Sequence, residues 1–304
     1  MHARRIRGAG LVCWLTAAAT LFGRAVAGAS VSVHPSADTS ISASFAGNNL
    51  GGNSNLIAGS NGGGLPARAL LRFDLASVVP GNAVVRAASL NMKVTIIPGG
   101  GGADSKFDLR RLLVDWGEGA GSGNTGRAAT AGEATWTDRF FPDQKWSAPG
   151  GLAGPDFSES ASTSTLVGGI GSFTFAPTPQ LVSDVRSWLE NPNDNFGWMV
   201  MSESEEISFT ARRFGAREDL ANAPTLTIEY AVAPVVEEMA VAGGKAQFSF
   251  MAADGESYVV QFCESLNESK WQTLTTVPAQ AARKVLIADD VTPERNRFYR
   301  IAIL

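Results

Sequence analysis

The sequence predicts an all-β protein: a large antiparallel β-sandwich, jelly-roll-like and carrying one short helix, followed by a small β-sandwich. Three observations point there. The 304 residues include 33 Gly and are 44 % hydrophobic, which supplies both the turns that many short strands need and the apolar material for packed cores. Apolar and polar residues alternate with a period of two, most clearly over residues 68–75, where Ala69, Leu71, Phe73 and Leu75 share one face and Arg68, Arg72 and Asp74 the other. Apolar spacing of three and four, the mark of an amphipathic helix, is convincing at a single place.

Taken in order, the chain opens with Arg4, Arg5 and Arg7, then an apolar run over 11–22, then Ala25-Val26-Ala27. That is the layout of a secretory signal, so residues 1–27 are expected to be removed on export. The run is shorter than the roughly 20 residues that a bilayer core demands, and no later stretch is apolar enough to span one. The protein is therefore expected to be secreted or on the surface of a bacterial cell. Loss of 1–27 leaves 21 of the 25 basic residues against all 29 acidic ones, a formal charge of −8 that argues against nucleic acid as a partner. Only Cys263 would remain of the two cysteines, so no disulfide is expected inside the mature chain.

Residues 31–97 read as four or five short strands broken by Gly and Asn turns, and 106–116 as another, with Phe107, Leu109 and Leu112 inward. Residues 117–134 and 143–169 are rich in Gly, Ser and Thr and read as long loops, whose length points to function. The helix begins at Thr178-Pro179, carries Leu181, Val182, Val185, Trp188 and Leu189 on one stripe, and stops at Asn191-Pro192; it should plug one end of the sandwich. Residues 196–201, 207–213 and 225–230 read as closing strands. Residues 231–236 form a short apolar linker stiffened by Pro234. Three domains follow from this: the signal at 1–27, a large sandwich at 28–232 and a small one at 237–304. Alternation over 246–250 and 258–262, a strand after Trp271 and another at the C-terminus give the last about six strands, similar to small fibronectin-like or immunoglobulin-like modules.

A series of motifs runs through the larger part in order: ADTSI (37–41), NNLGGNSNLIAGS (48–60), RALLRFDL (68–75), DWGEG (115–119), TWT (135–137), Trp146 before a Pro-Gly-Gly turn, VRSW (185–188), NFGW (195–198), FGARE (214–218) and PTLTIEY (224–230). Together they resemble the DNRLRE domain, also classed as carbohydrate-binding module family 96, over residues 30–232. The resemblance implies a non-catalytic, polysaccharide-binding sandwich.

The inventory of reactive residues agrees with a binding role. His34 would be the only histidine of the mature chain and no Gly-x-Ser-x-Gly elbow occurs, so histidine-based catalysis and His/Cys metal centres lack material. Asp115, Glu118, Glu133 and Asp138 lie close enough in sequence to consider two-carboxylate glycoside chemistry, although such residues are usually solvated in loops. Among the tryptophans, Trp188 and Trp198 fit a core, whereas Trp136 and Trp146 beside the Gly-rich loops are the candidates for stacking on a sugar face. Arg212, Arg213 and Arg217 are candidates for pairing with uronic-acid carboxylates, with the alternation sending Arg212 and Arg213 to opposite faces. Asp38, Asn48 and Asn53, with Asn49 and Asn55 nearby, offer the oxygen ligands of a structural Ca²⁺ site without EF-hand spacing. Carbohydrate binding, with acidic polysaccharides as the leading class, is thus preferred to a structural or adhesive surface role, and both to a polysaccharide-degrading enzyme.

Overall fold

The computed structural model describes residues 28–99, 102–266, 270–292 and 296–304; the expected signal segment 1–27 lies outside them. The larger unit is one antiparallel sheet folded back on itself into two faces. The first face is built on the long strand β6 (Ala83–Ile96). Along one edge of β6 lie β14 (Arg212–Gly215) and β15 (Thr225–Val232), and along the other β12 (Gly171–Phe175). β1 (Ala29–Val33) continues outward from β15, and β4 (Asn55–Ser60) from β14. The second face runs β2 (Ala37–Ser42), β5 (Pro66–Arg72), β13 (Trp198–Ser202), β7 (Ser105–Arg111) and β11 (Thr163–Val167). The corner between the faces is the end of β4, where Gly59 and Ser60 pair with Ala67 and Pro66. Gly59 sits there at φ +95° with the Thr210 carbonyl oxygen 2.7 Å from where a Cβ would stand, so a side chain is excluded on both counts.

Period-two alternation fills the space between the faces. In β15, Leu226 and Ile228 are buried while Glu229 is exposed. In β6, Val85 and Ala88 both face inward because a bulge between Glu229 and Tyr230 shifts the register by one residue. The resulting core joins Leu71, Phe73, Leu90, Phe107, Leu109 and Phe214. The helix α1 (Pro179–Glu190) is capped by Thr178, whose hydroxyl accepts from Leu181 N at 3.0 Å, and it buries Leu181, Val182, Val185 and Trp188 in the same core. Trp188 meets Trp198 of β13 edge-on, with ring centroids 4.4 Å apart.

A second core covers the outer side of the second face. Ile41, Leu70 and Met199 point away from the first core and pack against Leu112, Trp116, Trp146 and Phe157. The Gly-rich stretches expected as long loops supply this cover, which is why β5 is apolar on both sides and why Leu70 interrupts its alternation. Their polar backbone is satisfied from within. The carboxylate of Asp156 accepts from Ser147 N, Ser147 Oγ and Leu152 N, and buried Asn49 bonds Gly51 N, Gly121 N, Glu118 O and Ala134 O.

Several boundaries differ from the sequence reading. The strand expected over 106–116 ends at Arg111, and the one expected over 196–201 covers Trp198–Ser202. β11 and β12 fall in and beside the expected loop 143–169; their Ser, Thr and Gly residues carry little apolar signal, and β11 buries only its two ends, Thr163 and Val167. The strand expected from 207 begins at Arg212, because residues 204–209 form turns. β15 runs to Val232, with Ala231 and Val232 paired to Val84 and Ala83, so the linker begins two residues later than expected.

Beyond it lie two three-stranded sheets: β16 (Glu237–Ala242), β17 (Lys245–Ala252) and β20 (Arg283–Asp290); and β19 (Gln272–Val277), β18 (Tyr258–Cys263) and β21 (Phe298–Ile303). Phe248, Phe250, Tyr258, Val260 and Ile287 form a separate core between them. Asn82 and Ala233 exchange two hydrogen bonds at 2.9 and 3.0 Å, and Arg86 pairs with the buried Glu256. Among the described residues no helix is long and apolar enough to cross a membrane.

Candidate functional site

The alternation in β14 sets the geometry of the site. Arg212 shares the side of Phe214 and points inward at the end of the first core, with 1 % of its surface exposed. Its guanidinium donates to Gly168 O at 2.5 Å, Ala103 O at 2.8 Å, and Thr210 O and Ala211 O at 3.1 Å each. Burial lowers its pKa, opposed by the charge of Asp104. It is a backbone staple rather than the ligand-binding residue that the sequence suggested. Arg213, one residue on, faces outward and is half-buried, its Nη1 reaching Asn124 Oδ1 at 3.4 Å.

Around Arg213 the outer surface of β4 and β14 is hollowed into an open groove of about 650 Å³, lined on its apolar part by Phe45, Ile57, Leu65, Ile96 and Phe209. A polar pocket of about 380 Å³ adjoins it, lined by Asn53, Asn55, Ser122, Asn124 and Glu218; Ile57, Asn124 and Arg213 belong to both. The two form one trough with an apolar half, a single guanidinium at the middle and an amide-rich half.

At the polar end, three segments distant in sequence meet. Arg217 Nε donates to Glu118 Oε1 at 2.5 Å and lies 3.2 Å from Glu218 Oε1, Arg217 N donates to Asp38 Oδ2 at 2.8 Å, and Asp38 N donates to Glu118 Oε1 at 2.8 Å. Arg217 is thereby committed to carboxylates of its own chain. Burial pushes the Asp38 carboxyl up to about 7, with the charges of Glu218 and Glu118 adding to the rise against the bond and charge from Arg217. Burial raises Glu218 as well, reinforced by Glu118.

An acid whose folded pKa lies above its unfolded value holds its proton more tightly in the native state. Its contribution is complete below the unfolded value, near pH 4, and is lost as pH rises to about 7. Urea midpoints measured across that window are therefore expected to fall with rising pH, and Asp38→Asn is expected to flatten the slope; an unchanged slope in that variant would place the titration elsewhere. Glu133 and Asp138 act at lower pH with the opposite sign. Burial works to raise both, but bonds from Arg127, Thr130 and Ala120 outweigh it at Glu133, and those from Lys145, Thr137 and Thr135 at Asp138.

The carboxylate oxygens of Asp38, Glu118 and Glu218 lie within 4.8 Å of one another, close enough to share a cation. Of the expected Ca²⁺ ligands only Asp38 is in this group. Asn48 Nδ2 donates to Thr125 O at 2.8 Å and Asn53 Oδ1 accepts from Gly123 N at 2.8 Å, so both hold loops. The four carboxylates considered for hydrolysis are each paired with a different basic residue, Asp115 with Arg72, Glu118 with Arg217, Glu133 with Arg127 and Asp138 with Lys145.

The expected stacking tryptophans lie elsewhere. Trp146 is 4 % exposed within the second core, its Nε1 donating to Thr135 O at 2.9 Å. Trp136 is half-buried beneath Arg68, whose guanidinium carbon lies 5.5 Å from the ring centroid, and Gly150 packs on its ring. Both rings are consumed in covering the second face. The groove's own aromatics, Phe45 and Phe209, carried no distinguishing signal: Phe209 reads as one more strand residue of ISFTARRF, and only the turn over 204–209 brings it outward. The chain matches no family model and no curated protein.

Proposed function

We propose that the protein is a secreted, non-catalytic polysaccharide-binding protein whose ligand lies in the trough across β4 and β14. The observation that carries this reading is the trough itself, which sets two exposed phenyl rings, the Arg213 guanidinium and the amides of Asn53 and Asn124 in one open cleft. Such a mixture suits a sugar-based ligand that carries both polar and apolar surface, the guanidinium and amides meeting its carboxylates and hydroxyls. The resemblance to the DNRLRE domain supports the same class, and Arg213 gives it a preference for acidic glycans. The large sandwich is proposed to fold and bind as a module separate from the small one.

Affinity electrophoresis against neutral and acidic polysaccharides tests the reading. Retardation by an acidic glycan is expected, weakening with salt because an exposed charge pair is screened. Arg213→Ala should reduce it about ten- to a hundredfold, the range for a hydrogen bond to a charged group. A folded protein that no glycan retards would instead favour the structural or adhesive reading.

A further inference from the structure

The apolar half of the trough is built differently from a sugar-stacking platform. Phe45, Leu65, Ile96 and Phe209 are all exposed there. Phenyl rings lack the polar edge with which Trp or Tyr meets the hydroxyls around a sugar ring. The polar groups of this half are also taken up within the chain. Asn61 Oδ1 accepts from Gly63 N and Leu65 N, Asn61 Nδ2 donates to Ser44 Oγ, and Ser42 Oγ accepts from Ser44 N. This end offers a ligand apolar surface and few free hydrogen-bonding groups.

Phe209 is moreover held in place before any ligand arrives. It sits at φ +64°, in the left-handed region that bulky residues avoid, which persists only where the surroundings enforce it. Its N–H donates to Asn61 O at 3.2 Å, and its carbonyl accepts from Ala103 N at 3.1 Å and from Arg212 Nη1 at 3.4 Å. The ring lies on Gly62, where a Cβ would approach it to 2.8 Å. A ring fixed in this way loses little freedom on binding. Buried Arg212 is its positioning residue.

Resting on the reading of the trough as a glycan site, we propose that it selects an acyl-substituted acidic polysaccharide, the acyl group seated between Phe45 and Phe209 and the sugar's carboxylate and hydroxyls directed to Arg213 and Asn124. The charge complementarity at Arg213 fixes the polar part of the ligand, and the hydrogen-bond-poor half fixes the apolar part.

The probe is one O-acetylated polyuronate and the same polymer after alkaline de-O-acetylation, compared by affinity electrophoresis and titration calorimetry with the full chain. The acetylated form is expected to bind about three- to tenfold more tightly, the worth of burying a methyl group and its neighbour. Phe209→Gly, which relieves the left-handed backbone, should erase the difference without lowering the melting temperature, and Phe45→Ala should reduce it. Arg213→Ala should weaken both polymers equally. Equal binding of the two polymers by the unsubstituted protein, or tighter binding of the deacetylated one, overturns the acyl preference and leaves glycan binding standing. Failure of every glycan to bind overturns both. A self-association dissolved by Phe209→Gly would assign the apolar half to a second copy and overturn the inference as well.

Discussion

Trp146→Ala is expected to destabilise the large sandwich by about 3 to 5 kcal/mol, the range for emptying a buried aromatic site. Its ring is packed with Leu70, Met199 and Phe157 in the core that the long loops lay over the second face, and its Nε1 satisfies the Thr135 carbonyl. Truncation leaves both a cavity and an unpaired buried oxygen. The melting temperature, read by calorimetry, should fall by about 6 to 20 °C, taking 2 to 4 °C per kcal/mol for a domain of this size. Glycan binding by the folded fraction should be unchanged. Near-normal stability with lost binding would instead return Trp146 to the role its sequence neighbourhood suggested.

Arg212→Ala should be comparably severe, about 3 to 5 kcal/mol, because it strands several buried carbonyls at once. Arg212→Lys should recover only part of this, since one ammonium cannot reach oxygens spread across a planar fork. Arg213→Ala, one residue away and on the outer side, should change stability by no more than about 0.5 kcal/mol. Urea denaturation of the three variants checks the contrast, and equal losses at 212 and 213 would contradict the inward and outward assignment.

That contrast shows what the sequence makes legible. Period-two alternation separated Arg212 from Arg213, placed Phe107, Leu109, Leu226 and Ile228 inward, and marked α1 by its cap and stripe. These are local properties, carried by neighbouring residues. Which of the two arginines is buried depends on Ala103 and Gly168, remote in the chain, and local pattern is silent on that. The tryptophans beside Gly-rich loops look exposed until the loops prove to be the lid of a second core. Leu70 and Met199 were its local signs, apolar residues on the supposed solvent sides of β5 and β13. The meeting of Asp38, Glu118 and Arg217 spans three motifs of the DNRLRE resemblance, yet no spacing rule links residues 80 and 99 positions apart. Phe45 and Phe209 were invisible as site residues because a phenylalanine in a β-rich stretch is ordinarily core.

Amide hydrogen exchange of the full chain, with and without a bound acidic oligosaccharide, locates the ligand most directly. Binding in the trough predicts slowed exchange over residues 55–61, 122–126 and 207–215, with the Trp136–Trp146 region unchanged. Slowing confined to residues 135–150, or the same exchange everywhere despite saturating ligand, would contradict it.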